Sequence, residues 1–155
     1  MLEVPVDAWY VWIGLTTVSA AVLGVAVAFP TAPPPDADAA AEAVDAVAGA
    51  GNGSTVDHPV SAAAVRFAPH SVSVRTEAGL AHARLAYGPV TPVVGDDRLE
   101  DVLDGTAPGR VFDSPAALAE AASEARNPPH RWQSADRIRA RTIVWGDVRV
   151  TLVGV

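Results

Sequence analysis

The fold is decided by residues 137–155, which read RIRARTIVWGDVRVTLVGV. Two runs rich in β-branched residues flank Gly146-Asp147, a pair typical of two-residue hairpin turns. The spacing predicts an antiparallel hairpin of strands 137–145 and 148–155, with Trp145 opposite Val148 and Ile143 opposite Val150. We therefore expect an antiparallel sheet that includes the C-terminal end of the chain.

A second hairpin is predicted upstream of the first. Residues 71–76 and 80–87 alternate between apolar and polar side chains, and Glu77-Ala78-Gly79 forms the turn between them. Residues 60–68 are a further candidate strand. The stretch GPVTP at 88–92 suits a sheet edge or a loop, because proline cannot donate a hydrogen bond within a central strand.

Three helices are predicted from their capping residues. Asp36 caps the first, which ends at Gly49 and Gly51. Asp96 or Asp97 caps the second, RLEDVLDG, and Ser114-Pro115 begins the third, which runs to about residue 126. These elements predict an α+β domain at 37–155: a small antiparallel sheet of four to five strands, with two to three helices on one of its faces.

The N-terminal part of the chain is strongly apolar. Residues 8–29 carry no charge and are long enough, as a helix, to span a hydrocarbon core of about 30 Å. Trp9, Tyr10 and Trp12 suit an interfacial aromatic belt. We therefore expect a retained, single-pass transmembrane helix within residues 1–29. The alternatives are a cleaved signal, a buried core helix, or a processed prepilin, although the basic leader of a prepilin is absent.

A proline-rich stretch at 30–36 predicts a semi-rigid linker between the anchor and the domain. Arginine and lysine are absent near the span, so the positive-inside rule gives almost no information about topology. The triplet Asn52-Gly53-Ser54 matches a glycosylation acceptor, which makes Asn52 a possible glycosylation site. We expect a short inner tail and an extracellular domain.

Composition excludes several classes of function. The chain has 155 residues, no cysteine, and a net charge of −7. The acidity argues against nucleic acid as a partner, and the lack of cysteine removes disulfides, thiolate metal sites and cysteine nucleophiles. Neither a G-x-S-x-G elbow nor a phosphate-binding loop occurs. We therefore predict no enzyme activity, no catalytic residues, no cofactor and no bound metal.

Three arginines alternate along the first strand of the C-terminal hairpin. Arg137, Arg139 and Arg141 share one face of that strand, where they are candidates for contact with a partner protein or with lipid headgroups. The alternatives are a charged guard on a sheet edge and cross-strand pairing with carboxylates. The acidic cluster at 96–104 is interpreted as a solvated helix face, with a calcium site as the alternative.

The stretches VDAWYVWIGL, AYGPVTPV and VWGDVRVTLVGV resemble a family of uncharacterised haloarchaeal single-pass membrane proteins. That family is associated with type IV pilus-like or type II secretion-like gene sets. The resemblance implies a structural or accessory, pilin-like role in the cell envelope, with membrane lipid and other assembly proteins as partners. A membrane-anchored extracellular module that binds a ligand or an ion is the alternative.

Overall fold

The computed structural model describes residues 6–28 and 34–155. It divides into two compact units, Met1–Ala32 and Pro33–Val155. The predicted N-terminal tail up to residue 5, the end of the predicted anchor at residue 29 and linker positions 30–33 lie outside the described residues.

The first unit contains helix α1, Val6–Ala28. Within the two described ranges, no helix combines the length and the apolar character that crossing a membrane requires. The structure therefore does not support the transmembrane helix predicted from the sequence.

The second unit is a mixed α+β fold, as predicted. Its helices are α2 (Ala37–Ala48), α3 (Asp97–Leu103) and α4 (Pro115–Ala125), with a short 3-10 turn at Pro108–Arg110. Its strands are β1 (Thr55–Pro59), β2 (Ala64–Ala68), β3 (Ser71–Thr76), β4 (Gly79–Arg84), β5 (Thr91–Pro92), β6 (Arg137–Trp145) and β7 (Val148–Gly154).

Side chains cap the three helices of this unit at the expected positions. Asp36 accepts a hydrogen bond from the Ala39 backbone, Asp96 from Arg98 and Leu99, and Ser114 from Ala117. These bonds satisfy backbone N–H groups that a helix leaves unpaired in its first turn.

The strands form two sheets, where the sequence predicted one. A four-stranded sheet has the order β1-β6-β7-β5, and a three-stranded sheet has the order β2-β3-β4. The prediction of a single strand at 60–68 is wrong in its first half, because β2 begins only at Ala64. Before it the chain crosses between the sheets, where Val60 N donates to Asp136 O and Ala63 N donates to Arg75 O. The expectation of a purely antiparallel sheet is also wrong, since β5 runs parallel to β7.

The C-terminal hairpin has the predicted register. Trp145 lies opposite Val148 and Ile143 opposite Val150, and Gly146 has a positive φ of 62° at the turn. β5, with Pro92, is an edge strand of the same sheet, which confirms the expectation for its proline-containing stretch.

The four-stranded sheet lies between two apolar clusters. On one face, Ile138, Ala140 and Val153 pack with α2, which also contacts the inner face of the three-stranded sheet. On the other face, Ile143, Val150 and Leu152 pack with α3 and α4. Helices thus cover both faces of this sheet and not one, because the alternating strand positions of β6 and β7 are apolar on both sides.

Candidate functional site

The three predicted arginines of β6 all have intramolecular partners. Arg137 Nη1 donates to Asp57 Oδ2 at 3.0 Å, and both side chains are more than half exposed. Arg139 pairs with Asp104, and its Nη2 donates to Val155 O at 2.9 Å. The pair of Arg137 with Asp57 of β1 is the cross-strand pairing considered above. Contact of these arginines with a partner or with lipid stays a prediction.

Arg141 has a different environment from Arg137. Its Nη1 donates to Val102 O in α3 and to Thr106 O just beyond that helix, the latter at 3.2 Å. Val102 O also accepts from Gly105 N at 3.2 Å, so Arg141 adds a charged donor to a carbonyl at the end of the helix. The buried Nε of Arg141 has no hydrogen-bond partner among the described residues. Arg141 therefore attaches the end of α3 to the sheet.

Replacement of Arg141 by methionine is expected to lower the free energy of unfolding by about 1–2 kcal/mol, since two carbonyl groups lose a charged donor. Arg137→Met on the same strand is the matched control. Its exposed ion pair predicts a loss of at most about 0.5–1 kcal/mol. Urea titration of both variants measures the difference. Equal losses would show that Arg141 does not have this structural role.

A cleft of about 580 Å³ opens beside these arginines. Asp57, Asp104, Arg139 and Arg141 all contribute to its wall. The two guanidinium groups are held by the carboxylate and carbonyl partners described above. The cleft is therefore lined by charges that are largely paired with each other or with the backbone.

A second group of cationic side chains lies on the outer face of the three-stranded sheet. In the register of that sheet, Ser73 lies between Arg66 and His82, and Arg75 lies beside Leu80. Arg84 of the edge strand β4 is opposite Ser71. Because these positions alternate with the buried Val65, Val72 and Val74, they point away from α2.

Trp132 holds two of these arginines. The guanidinium carbons of Arg66 and Arg75 lie 4.8 Å and 4.2 Å from the centre of its ring. The segment that carries Trp132 is attached to β2 by a bridge between Val65 and Gln133. We call the surface formed by Arg66, Arg75, His82, Arg84 and Trp132 the basic face.

Hydrogen bonding also fixes the histidine of the basic face. Ser73 Oγ lies 3.0 Å from His82 Nδ1, and Ser73 itself is buried. Among the described residues, the arginines of the basic face form no ion pair with a carboxylate. Stacking orders Arg66 and Arg75 and a hydrogen bond orders His82, while the guanidinium groups of the basic face have no carboxylate partner in the described part of the chain.

Sequence reasoning missed the basic face, although a signal was present. Residues 60–95 contain one acidic residue, Glu77, beside three arginines and two histidines. In a chain with a net charge of −7, this is a local reversal of sign. A charge count along the chain identifies the segment, but only the strand register places these side chains on one face.

The acidic cluster is divided by the structure into paired and exposed members. Asp96 caps α3 and lies 3.8 Å from Arg98 Nε, and Asp104 pairs with Arg139. Asp97, Glu100 and Asp101 are exposed and form no ion pair within the described ranges. Their spacing of three and four residues puts them on one side of α3, and we call these three carboxylates the acidic face.

The remaining candidates are separate from one another. Asn52 is exposed in a turn, and its Oδ1 accepts a hydrogen bond from Val144 N at 2.7 Å. His70 is not opposite His82 in the register, and no group of three metal-ligating side chains occurs in the described part of the chain. Asp57 and His58 lie in strand β1.

Arg126 lies at the end of α4, next to the edge strand β5. Burial lowers the pKa of the Arg126 guanidinium from its ordinary value. Arg126 Nε donates to the buried Thr91 Oγ1 at 2.9 Å. Arg126 thus connects the end of α4 to the edge strand β5, and its role is structural.

The profile of a protein family matches residues 3–143, which is most of the chain. The chain belongs to the DUF7283 family, a family of unknown function. Neither curated proteins nor solved structures match this DUF7283 protein. The match covers α1, the basic face and the acidic face, so all of these features lie within the family region.

Proposed function

We propose that this DUF7283 protein is a membrane-anchored structural or accessory component of a pilus-like or secretion-like assembly in the cell envelope, anchored by residues 8–29. None of the described helices has the length and apolar character of a membrane span, so the anchor is proposed on other grounds. The main support is the surface of α1. Seven large apolar side chains there are between 52% and 75% exposed: Trp9, Tyr10, Val11, Trp12, Ile13, Leu15 and Val18.

Exposure on this scale is costly in water. Burial of one large apolar side chain contributes about 1.5–3 kcal/mol, so seven of them represent on the order of 10 kcal/mol or more. A helix that is apolar on all sides is usually buried in protein or in lipid. This cost favours an apolar medium around α1.

The two threonine side chains of α1 are also suited to an apolar medium. Thr16 Oγ1 lies 2.9 Å from both Trp12 O and Ile13 O, and Thr17 Oγ1 donates to Ile13 O at 2.7 Å. Both hydroxyl groups are therefore satisfied within the helix. Hydrocarbon offers no other hydrogen-bond partner, so such internal bonds are expected of a helix in lipid.

We place the second unit outside the cell. The glycosylation triplet supports this, because Asn52 is exposed and uses only its Oδ1 in the hydrogen bond to Val144. Its Nδ2, the atom that would carry a glycan, has no hydrogen-bond partner among the described residues. The proposed partners are membrane lipid and other proteins of the assembly, and the proposal includes neither nucleic acid nor a catalytic step.

The alternative function, an extracellular module that binds a ligand or an ion, would use the cleft beside Arg139 and Arg141. Those guanidinium groups already contact Asp104, Val155, Val102 and Thr106. A ligand that binds through Arg139 Nη1 or Nη2, or through Arg141 Nη1, would compete with these bonds. The arrangement therefore favours the structural role over the binding module.

Membrane fractionation of the full chain tests the anchor. We expect the wild-type protein to stay in the membrane pellet after alkaline carbonate extraction and to be clipped by protease added to intact cells. Leu15→Arg/Val18→Arg introduces two charges into α1, each costing about 2.5–3.5 kcal/mol at the centre of a membrane helix. This variant is expected to be extracted.

Leu15→Ala/Val18→Ala is the matched control, since it shortens the same side chains without adding charge, and it should remain in the pellet. Recovery of the wild-type chain in the soluble fraction would overturn the anchor. Protection from protease in intact cells, with cleavage in lysates, would overturn the extracellular location.

A further inference from the structure

The basic face presents fixed guanidinium groups to solvent. A guanidinium that stacks on an aromatic ring keeps the N–H groups at its edge free for a carboxylate. Arg66 and Arg75 stack on Trp132 in this way, and Arg84 is exposed on the neighbouring edge strand. The side chains of Arg66 and Arg75 are thus ordered before a partner binds, which reduces the entropy lost on association.

An open sheet face of this kind suits a macromolecular surface. Leu80 is 61% exposed beside Arg75 and adds an apolar contact to the cationic ones. Carboxylates are the complementary groups, and arginine can bind them through two parallel hydrogen bonds. The partner surface should therefore carry several exposed carboxylates at helix or strand spacing.

The chain itself carries a matching surface. The acidic face of α3 offers Asp97, Glu100 and Asp101, and the apolar side chains Leu99, Val102 and Leu103 are buried on the opposite side of that helix. The three exposed carboxylates of the acidic face thus equal in number the three exposed or half-exposed guanidinium groups of the basic face. The complement to the basic face is present in every copy.

The two faces cannot meet within one molecule. The basic face points outward from the three-stranded sheet, whose inner side packs on α2. α3 packs on the far side of the four-stranded sheet, so α2 and that sheet lie between the two faces. A contact between them therefore joins different copies in a head-to-tail manner, which can extend into a filament when the rotation does not close a ring.

We propose that the basic face binds the acidic face of α3 in a second copy of this chain. The inference deepens the proposed function and rests on it for the assembly in which the copies meet. Each copy would bind one neighbour through its basic face and another neighbour through its acidic face, so the contact would repeat along the assembly.

Cysteine cross-linking of the full chain in native membranes tests this contact, because the protein has no cysteine of its own. One chain carries Leu80→Cys in the basic face, and a differently tagged chain carries Glu100→Cys in the acidic face. We expect a short bismaleimide to join these two chains, with little product between two Leu80→Cys chains. Equal product from two Leu80→Cys chains would overturn the head-to-tail contact.

Charge reversal gives the decisive comparison. Arg66→Glu/Arg84→Glu in the Leu80→Cys chain is expected to lower the yield of cross-linked product by about tenfold, as the loss of several ion pairs implies. Arg110→Glu/Arg137→Glu is the matched control, with the same change in net charge at exposed arginines outside the basic face, and it should leave the yield unchanged.

Restoring the charges should restore the contact. Asp97→Arg/Asp101→Arg in the Glu100→Cys chain is expected to recover the yield with the Arg66→Glu/Arg84→Glu partner, which misfolding of either variant could not produce. An unchanged yield after the first reversal, or no recovery after the second, would overturn the proposal. Protection of the Leu80→Cys thiol by phosphatidylglycerol vesicles, without chain-to-chain product, would assign the basic face to lipid and also overturn it.

Failure of this inference is distinguishable from failure of the proposed function. A chain that stays in the carbonate-washed membrane but gives no Leu80→Cys to Glu100→Cys product keeps its anchor and loses only the contact. A chain found in the soluble fraction loses the anchor, and the same cross-linking then tests the contact in solution.

Discussion

Replacement of Phe67 by alanine is expected to lower the free energy of unfolding of the second unit by about 3–5 kcal/mol. Phe67 is 2% exposed and lies in the cluster that joins α2 to the three-stranded sheet. Its removal takes away apolar burial and leaves a cavity that a β-sheet with fixed register cannot close. Since small domains are stable by about 5–15 kcal/mol, this loss is a large share of the total.

Urea titration of the full chain in a mild non-ionic detergent, followed by tryptophan fluorescence, measures this loss. Leu80→Ala is the control, because Leu80 lies in the same sheet but is 61% exposed on its outer face. A change within about 0.5 kcal/mol is expected for it, as for most surface substitutions. A loss below about 1 kcal/mol for Phe67→Ala would contradict the packing described above.

The parts of the fold that the sequence predicted depend on contacts between near neighbours. The turn at Gly146-Asp147 fixes the register of β6 with β7, because a two-residue loop leaves only one way to pair the strands. Asp36, Asp96 and Ser114 act on backbone groups two or three residues away. Such local effects can be inferred from the order of residues alone.

The parts that were missed depend on distant pairing. β1 contains Asp57, His58 and Pro59, which lack the apolar alternation of a strand, and it forms because it pairs with β6. Arg137 and Asp57, which pair across these strands, are 80 positions apart. β5 is only Thr91–Pro92 and exists through its parallel pairing with β7. No local pattern specifies β1, and the prolines that favour a sheet edge at β5 do not specify its parallel pairing with β7.

The candidate site follows the same division. The sequence places Arg137, Arg139 and Arg141 on one strand. It does not show that Arg139 pairs with Asp104 and Val155 O, or that Arg141 binds the end of α3. The basic face requires the register of three strands and the return of Trp132 to β2. Alternation within one strand is visible in the sequence, whereas the partners of its side chains are set by tertiary packing.

Gly88→Ala is expected to destabilise the second unit by about 1–3 kcal/mol, the usual cost of forcing extra atoms into a packed site. A Cβ at Gly88 would meet His70 Nδ1 and would lie 2.9 Å from the carbonyl oxygen of Pro69. The exposed His70 side chain can rotate away. The Pro69 carbonyl cannot move as easily, because it accepts a hydrogen bond from Val90 N at 2.8 Å.

The same urea titration can separate the effect of the His70 side-chain contact from that of the Pro69 carbonyl contact with the added methyl group. His70→Ala/Gly88→Ala removes the side-chain contact and keeps the backbone one, so it should remain destabilised relative to His70→Ala alone. Gly51→Ala is the control, because a Cβ there meets no atom within 4 Å and the φ of Gly51 is not in the positive range. Its stability should be equal to or slightly above that of the wild type, since alanine narrows the unfolded ensemble. Full recovery in the His70→Ala/Gly88→Ala variant would show that the backbone contact is not the cause.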